Sequence, residues 1–450
     1  MGRNSSLRIA VIGTGISGLS AAWLLNQRHL VTVYERANRV GGHSNTITAA
    51  IGRRSIPVDT GFIVYNERTY PNLTALFEYL KIPTQESDMS FSVSLDQGQL
   101  EYSGAGFAGL LAQPVNILRP RFWSMLYDIL RFYRRAPADA TRAAVERISL
   151  GEYLASERYG SAFRDDHLLP MAGAIWSAPP AKMLDFPAVA LIRFHQNHGL
   201  LQLRDRPIWR TVTGGSRVYV ERLSRSFADR IRINSGVRSV QRGEPNGVVV
   251  TDTNGDADIY DHVVLATNAD QALGLLSDPT AAERDLLGAF RYSRNIAVLH
   301  SDESFMPRRR AAWASWNHIG RRVAAADSVC VTYWMNRLQG IASDMSLFVT
   351  LNPPETPRAR SILHSEIYEH PIFDAKAIAA QRRLWSLQGE RNTWFCGSYF
   401  GAGFHEDGLQ AGLAVAEQLG GLRRPWRVAE ESGRIALGPP CDTASVAEAA

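Results

Sequence analysis

Lysine is nearly missing from this chain. Lys81, Lys182 and Lys376 are the only three among 49 basic residues, and none falls between Met183 and Ala375. The net charge of +5 is therefore an arginine excess. Scattered arginine reads as a solvated surface, compatible with an anionic lipid face, and no nucleic-acid partner is expected. Cysteine is equally scarce. Cys330, Cys396 and Cys441 stand far apart with no CxxC spacing, which excludes a disulfide framework and a cysteine-rich metal site. No metal-ligand spacing is visible either, so no metal is expected. No run of about 18 apolar residues occurs to cross a bilayer. Met1–Leu7 lacks the charged-then-apolar pattern of a secretory signal, and the expected location is cytoplasmic.

What is present starts with a βαβ unit. Arg8–Ile12 (RIAVI) is a short β-branched run that reads as a buried parallel strand, ending in Gly13-Thr14-Gly15-Ile16-Ser17-Gly18. A largely apolar helix follows from about Ile16 to Gln27, then a second strand Leu30–Tyr34 that ends at Glu35. In this context the first glycine permits the turn, the second lets backbone approach a pyrophosphate, and the third lets helix and strand pack closely. The amides of Ile16 and Ser17 sit at a helix N-terminus, where anions are favoured. Glu35 can accept both hydrogen bonds of an adenosine ribose diol and would repel a 2′-phosphate, which disfavours NADP.

The next residues, Glu35-Arg36-Ala37-Asn38-Arg39-Val40-Gly41-Gly42-His43, resemble the ExxxRxGG(R/H) signature of the flavin amine oxidase and phytoene desaturase superfamily. The resemblance implies FAD rather than NAD. Gly41 and Gly42 would let a loop pass close to pyrophosphate and flavin, and Arg39 would offer charge to the phosphates. Val58-Asp59-Thr60-Gly61-Phe62 resembles the strand and turn beside the flavin, where Gly61 would spare the ring a clash. Thr213-Gly214-Gly215-Ser216 precedes a helical pattern to Phe227, and Val237 matches the valine that contacts adenine through its backbone. Trp394-Phe395-Cys396-Gly397-Ser398 reads as a closing strand and turn. Asp407-Gly408-Leu409-Gln410 then opens a helix, with capping-box spacing from Asp407 to Gln410 and an end at Gly420-Gly421. In the superfamily that helix N-terminus faces the flavin N1 and C2 carbonyl. No cysteine is placed for a covalent link, so a non-covalent FAD is expected.

The implied fold is α/β: a Rossmann-like FAD-binding domain of the amine oxidase and glutathione reductase type, with a discontinuous α+β substrate domain. Residues 1–70, 212–290 and 391–422 are expected to bind FAD, 71–211 and 291–390 to form the substrate domain, and 423–450 to be a loosely ordered tail. Arg135–Arg142 and Asn352–Pro357 read as polar or proline-rich breaks. The stretch Arg119–Arg135 carries Phe122, Met125, Leu126, Ile129, Leu130 and Tyr133 at helical spacing between arginines. It reads either as an interfacial helix admitting a lipid, which would place the protein peripherally on the inner membrane face, or as a core helix.

Phrases such as DTGFIVYNERTYPNL at 59–73, LLPMAGAIWSAP at 168–179 and WFCGSYFGAGFHEDGL at 394–409 are more similar to a bacterial branch of the superfamily than to true amine oxidases. Some of that branch resemble the flavin desaturase of furan fatty acid synthesis. The branch is also associated with fatty-acid methyltransferases. This resemblance implies a phospholipid acyl chain as substrate. Many amine oxidases carry a lysine near flavin N5, and the stretch that looks equivalent here, Tyr292–His300, has none. Three readings follow: an acyl-chain desaturase, an amine oxidase that makes hydrogen peroxide, or a flavin-loaded partner of a methyltransferase. The candidate proton acceptors are His405, beside the flavin-facing helix, and the pair His198 and Asn197. His195 and Trp176 are weaker candidates.

Overall fold

The computed structural model describes residues 6–145, 148–243, 247–322 and 329–438. Its organising element is a five-stranded parallel sheet in the order Ile231–Arg232, Leu30–Tyr34, Arg8–Ile12, His262–Leu265, Thr393–Phe395. The strands come from three distant stretches of chain. The three central strands, Leu30–Tyr34, Arg8–Ile12 and His262–Leu265, are largely apolar, β-branched runs buried on both faces, as a sheet covered by helices requires, while Ile231–Arg232 is a short, partly exposed edge. A three-stranded antiparallel meander, Val237–Arg242, Val248–Asp252 and Ala257–Tyr260, covers one side. Its third strand was not foreseen.

Two helices cross on the sheet, Ile16–Leu25 and His405–Gly420, and their backbones nearly touch. A Cβ on Gly412 would lie 2.2 Å from the Ser17 carbonyl oxygen, and one on Gly408 would lie 2.8 Å from Ser17 Oγ. The closing helix ends where expected, with Gly421 in the left-handed conformation at φ 64°.

The second layer is a seven-stranded mixed sheet, ordered Ile362–Ile372, Arg291–His300, Phe348–Leu351, Cys330–Trp334, Trp316–Gly320, Phe91–Leu95, Leu100–Ser103. It carries its own apolar core around Leu299, Val331 and Val349. Helices between residues 120 and 197 form a third core, around Phe132, Tyr153 and Leu191.

Several expectations change. Helix Pro71–Tyr79 and the segment 373–387 were assigned to the substrate unit, yet Leu73, Leu76, Phe77, Ala377 and Trp385 join the core of the parallel sheet. The helix Pro120–Asp139 runs into the expected break and carries Pro137 inside its last turn, so that proline does not end it but leaves the Tyr133 carbonyl without its helical donor. That helix buries Phe122, Met125 and Phe132 while leaving Trp123, Tyr127 and Leu130 exposed, so each sequence reading fits one of its faces. The tail is corrected for residues 423–438. Arg424 is buried on Glu417 (2.8 Å), with a second bond to Asn72 (2.8 Å), and Trp426 stacks on Trp23. Composition concealed this because two arginines and a tryptophan do the anchoring. The remainder of the tail, from 439, lies outside the described residues.

Gly412→Val should lower the unfolding free energy in urea by about 1–3 kcal/mol, since the backbone it meets cannot swing away. Gly274→Ala, in a helix position with nothing within 4 Å, should leave stability equal or slightly raised.

Candidate flavin cradle

The loops at Gly13–Gly18, Gly41-Gly42 and Gly397–Gly408 meet at the carboxyl ends of the parallel strands, where open α/β sheets bind their ligands. In the first loop the glycines have three separate duties. Gly13 takes φ 105° with its α-carbon tight against Ala266, and a Cβ on Gly18 would sit 2.0 Å from the Gly13 carbonyl. Gly15 faces open space: a Cβ there would meet nothing within 4 Å on its far side. Beyond it begins helix Ile16–Leu25, whose first amides lack intrahelical partners.

The Gly41-Gly42 loop lies opposite. A Cβ on Gly42 would come 3.0 Å from Gly15 Cα. Thr14, which sequence reasoning passed over as a spacer, ties the two loops together. It donates from its amide (3.2 Å) and its hydroxyl to Glu35 Oε2, and it accepts from the Gly41 amide at 3.1 Å. Glu35 Oε1 accepts from Ala37 (2.8 Å). Glu35 is thus held in place, half-buried, with lone pairs remaining on both oxygens. Ser235 N donates to Glu35 O at 2.9 Å, and Gly236 abuts Arg36, which brings Val237 to the Glu35 end of the cradle.

What the side chains touch adds to one assignment and corrects two. Arg39 donates to the Gly42 carbonyl (2.8 Å) and approaches Glu366 (3.8 Å), so it braces the loop as well as bringing charge to it. Gly61 is demanded by protein: its Cβ would fall 2.1 Å from the His43 carbonyl oxygen. Asp407 does not open the closing helix. Phe404 is the N-cap and Asp407 lies in the first turn, accepting from the Phe404 amide at 2.7 Å and from Arg434 Nε at 2.7 Å. Gln410 in turn donates to Glu406 at 3.0 Å.

Around the closing turn, Gly397 is pressed against the Tyr399 ring, and Ser398 accepts from the Gly401 and Gly403 amides. Gly408 serves the helix contact and Leu409 is fully buried in the core, so only their backbone is available to a ligand. Glu406, also fully buried, caps helix Pro71–Tyr79 by accepting from the Asn72 (3.0 Å) and Leu73 (2.9 Å) amides.

The histidines divide by what occupies their nitrogens. His405 stacks on Phe62 (3.8 Å between ring centres), and its Nε2 is 2.6 Å from Tyr219 Oη, which also bonds Ser44. Whichever atom donates, that nitrogen is engaged. His198 is different. Its Nδ1 lies 2.9 Å from the Phe194 carbonyl, which can only accept, so Nδ1 carries the proton. Burial pushes this imidazole down to about 3, so it is neutral and Nε2 is a bare lone pair with no protein partner among the described residues. It sits among Phe194, Trp209 and Phe404, the last adjoining His405. His195 repeats the pattern, bonded to Leu191 O at 2.9 Å, but deeper among the helices beside Phe132 and Trp176. Asn197 is exposed on the far side of its helix and does not join the site.

From the substrate sheet comes a group that sequence reasoning missed. Tyr368 bonds Thr60 (2.7 Å) and Asn45 (3.1 Å), and His43 rests 5.0 Å from the Tyr368 ring and 5.5 Å from that of His370. The tautomer of His370 is determined by a chain anchored in backbone. Ile296 N donates to Asn352 Oδ1, Asn352 Nδ2 to Asn295 Oδ1, and Asn295 Nδ2 to His370 Nδ1 (3.1 Å), which leaves Nε2 as the protonated nitrogen. The signal was available: His364, Glu366, Tyr368 and His370 alternate along one face of strand Ile362–Ile372.

The cradle fits an FAD diphosphate. Open space at Gly15, unpaired helix amides beside it and a fixed carboxylate at Glu35 are the three features such a group needs. Gly15→Val should abolish flavin retention, read as loss of the flavin absorbance after desalting. The apoprotein should melt little changed, since a Cβ at this position has no protein atom within 4 Å and φ is an ordinary −63°.

A family model described as flavin containing amine oxidoreductase matches residues 16–356. No curated protein sequence matches the chain. Among solved structures, putrescine oxidase bound to putrescine superposes with a TM-score of 0.65 at 16% identity, covering 92% of this chain and 99% of that one. Cyclohexylamine oxidase from Brevibacterium oxydans IH-35A gives 0.63 at 17%, covering 92% and 100%. A CLA-producing fatty acid isomerase from P. acnes gives 0.66 at 15%, covering 93% and 99%. These identities establish a shared fold, and the family match extends over most of the chain: the protein belongs to the flavin containing amine oxidoreductases and is an amine oxidase-like flavin-dependent oxidoreductase.

Proposed function

We propose that the protein is an FAD-dependent dehydrogenase that introduces a double bond into the acyl chain of a lipid, with the cofactor held non-covalently. Bound FAD supplies the hydride acceptor, its N5. The observation that carries the reading is the position of the lysines. Lys81, Lys182 and Lys376 are all exposed on the surface, so no lysine reaches the cradle. The groups that face it from the substrate sheet are instead neutral: Asn295, Tyr368 and His370. Glu366 and Glu369 are already engaged, the first near Asn45, Arg39 and His364 and the second by Asn268 and Gln271. Neither is left over to hold an ammonium.

An acyl chain asks for apolar surface, and the aromatic series Trp176, Phe194, Phe404 provides it, with ring centres 4.7 and 4.9 Å apart, leading to the start of the closing helix. That a fatty acid isomerase shares the fold supports an acyl chain in this framework. The proton that leaves with the hydride needs a lone pair. His198 Nε2 and His195 Nε2 are both unoccupied, but His195 lies deeper among the helices, whereas His198 packs on Phe404 at the start of the closing helix; His405 Nε2 is bonded and His370 Nε2 bears hydrogen. Non-covalent binding is supported by Cys396, whose thiol is buried in the core with its ionisation pushed up by desolvation, and by Cys330, which lies in the other sheet. Cys441 falls outside the described residues.

Mixed anaerobically with methylated or unsaturated phospholipid, the holoprotein should lose its oxidised-flavin absorbance. A panel of primary amines and polyamines should release no peroxide. Turnover of an amine with no bleaching by any lipid would replace this reading with amine oxidation.

His198→Gln should lower the rate of lipid-driven bleaching by about 10²–10⁴-fold while flavin stays bound. Because burial keeps His198 neutral until pH falls through about 3, the wild-type rate should show no histidine limb near 6.5. A limb there that disappears in His198→Gln would contradict the assignment.

A further inference from the structure

The outward face of helix Pro120–Asp139 is unlike the rest of the surface. Trp123, Tyr127 and Leu130 lie on one stripe, spaced four and three residues apart, and all three are exposed, Tyr127 to 67%. Leu118, 80% exposed, precedes them, and the Trp123 indole is fixed to the Ile117 carbonyl at 2.8 Å. The stripe runs on into an open groove of about 450 Å³ lined by Leu130, Tyr133, Arg134, Leu201, Leu203 and Arg204. Leu203 projects 67% exposed from the loop that follows His198.

The charge on this face is predominantly positive. Arg134, Arg135, Arg204 and Arg206 are exposed around the groove. The helix has two carboxylates, and both are buried and occupied: Asp128 by Arg131 and the Gly160 amide, Asp139 by Tyr153 and Arg142. Asp205, between two arginines, is the exposed carboxylate on the loop.

We propose that this face docks on an anionic phospholipid surface, with Trp123, Tyr127, Leu130 and Leu203 entering the acyl boundary and the arginines pairing with headgroup phosphates. The proposal deepens the acyl-lipid reading by naming where such a substrate is met. An aromatic and aliphatic stripe flanked by arginine is the composition of a helix lying in a membrane interface. Long arginine side chains can lie along the apolar surface while their heads reach phosphate. A second copy of the chain is a poorer occupant. A two-fold contact would set this arginine-rich face against itself, and the helix has no free carboxylate to answer it. No helix among the described residues is long and apolar enough to cross a bilayer, so contact would be from one side. The location of the groove fits the proposed chemistry: Leu201 and Leu203 follow within a few residues of His198, which packs against Phe404 at the cradle.

The test is sedimentation of the holoprotein with vesicles of phosphatidylcholine alone or with phosphatidylglycerol. Binding should need phosphatidylglycerol, weaken as salt rises, and fall at least tenfold in Tyr127→Glu/Leu203→Glu and in Arg134→Glu/Arg204→Glu. Flavin content and melting temperature should stay unchanged in both, since all four side chains are exposed. A fluorophore on Tyr127→Cys, which leaves the rest of the face intact, should shift to the blue on the anionic vesicles. No sedimentation with either vesicle, or sedimentation that both double variants retain, would overturn the proposal. So would a concentration-dependent dimer in light scattering that Tyr127→Glu/Leu203→Glu abolishes, which would make the face a self-interface. None of these readouts requires turnover, so failure of the acyl-lipid reading in the bleaching assay would leave this result to stand or fall separately.

Discussion

Everything at the cradle depends on how closely two helices approach, one from each end of the chain. Ser17 of the first helix packs into the space left by Gly408 and Gly412 of the closing helix, and Gly18 is pressed equally hard onto Gly13, in the turn after the first strand. Such contact leaves the local backbone little freedom to relax, because cores packed at crystal density respond to single methyl groups. One consequence is positional. With Ile16 and Ser17 of the first helix held against Gly408 of the closing one, two helix N-termini converge on one region although nearly the whole sequence separates them.

The second determinant is the pairing of strand Arg291–His300 with Ile362–Ile372, which sets Asn295 opposite Tyr368 and Ser293 opposite His370. That register delivers neutral hydrogen-bonding groups, rather than a charge, to the substrate side. The histidines around it are neutral for the same reason, since burial outweighs the help any of them receives from a neighbour. The site is therefore polar but nearly uncharged, and the carboxylates near it are occupied elsewhere.

How far the sequence reveals this varies with distance along the chain. The first loop, Glu35 and the glycine pair at 41 and 42 are local patterns, and their positions in the fold could be read directly. The roles were less legible, because a glycine required by protein contact and one required by ligand look alike. Gly61 and Gly15 illustrate the two cases. Thr14 was hidden inside a motif as a spacer. Tyr368, His370 and Asn295 were hidden by non-local pairing, although the alternation of polar residues in Ile362–Ile372 was there to be seen. Asn197 and His198 were adjacent and looked equivalent. Asn197, the last residue of the helix, is exposed and His198, its C-cap, is buried, a difference of one position on a surface that turns through 100° per residue.

The residues after the closing helix have a reach that their composition conceals. Asp407 stands buried in the first turn of the closing helix, beside the cradle, and a bare carboxylate there would be costly to keep out of water. Arg434 clamps that carboxylate, with a further bond to the Thr69 carbonyl at 2.8 Å. The charge presented at the head of the closing helix is thereby set by a residue that lies beyond the last element of the fold. Changes in what looks like a dispensable appendage would uncover a buried carboxylate at the cradle without altering any side chain of the glycine loops.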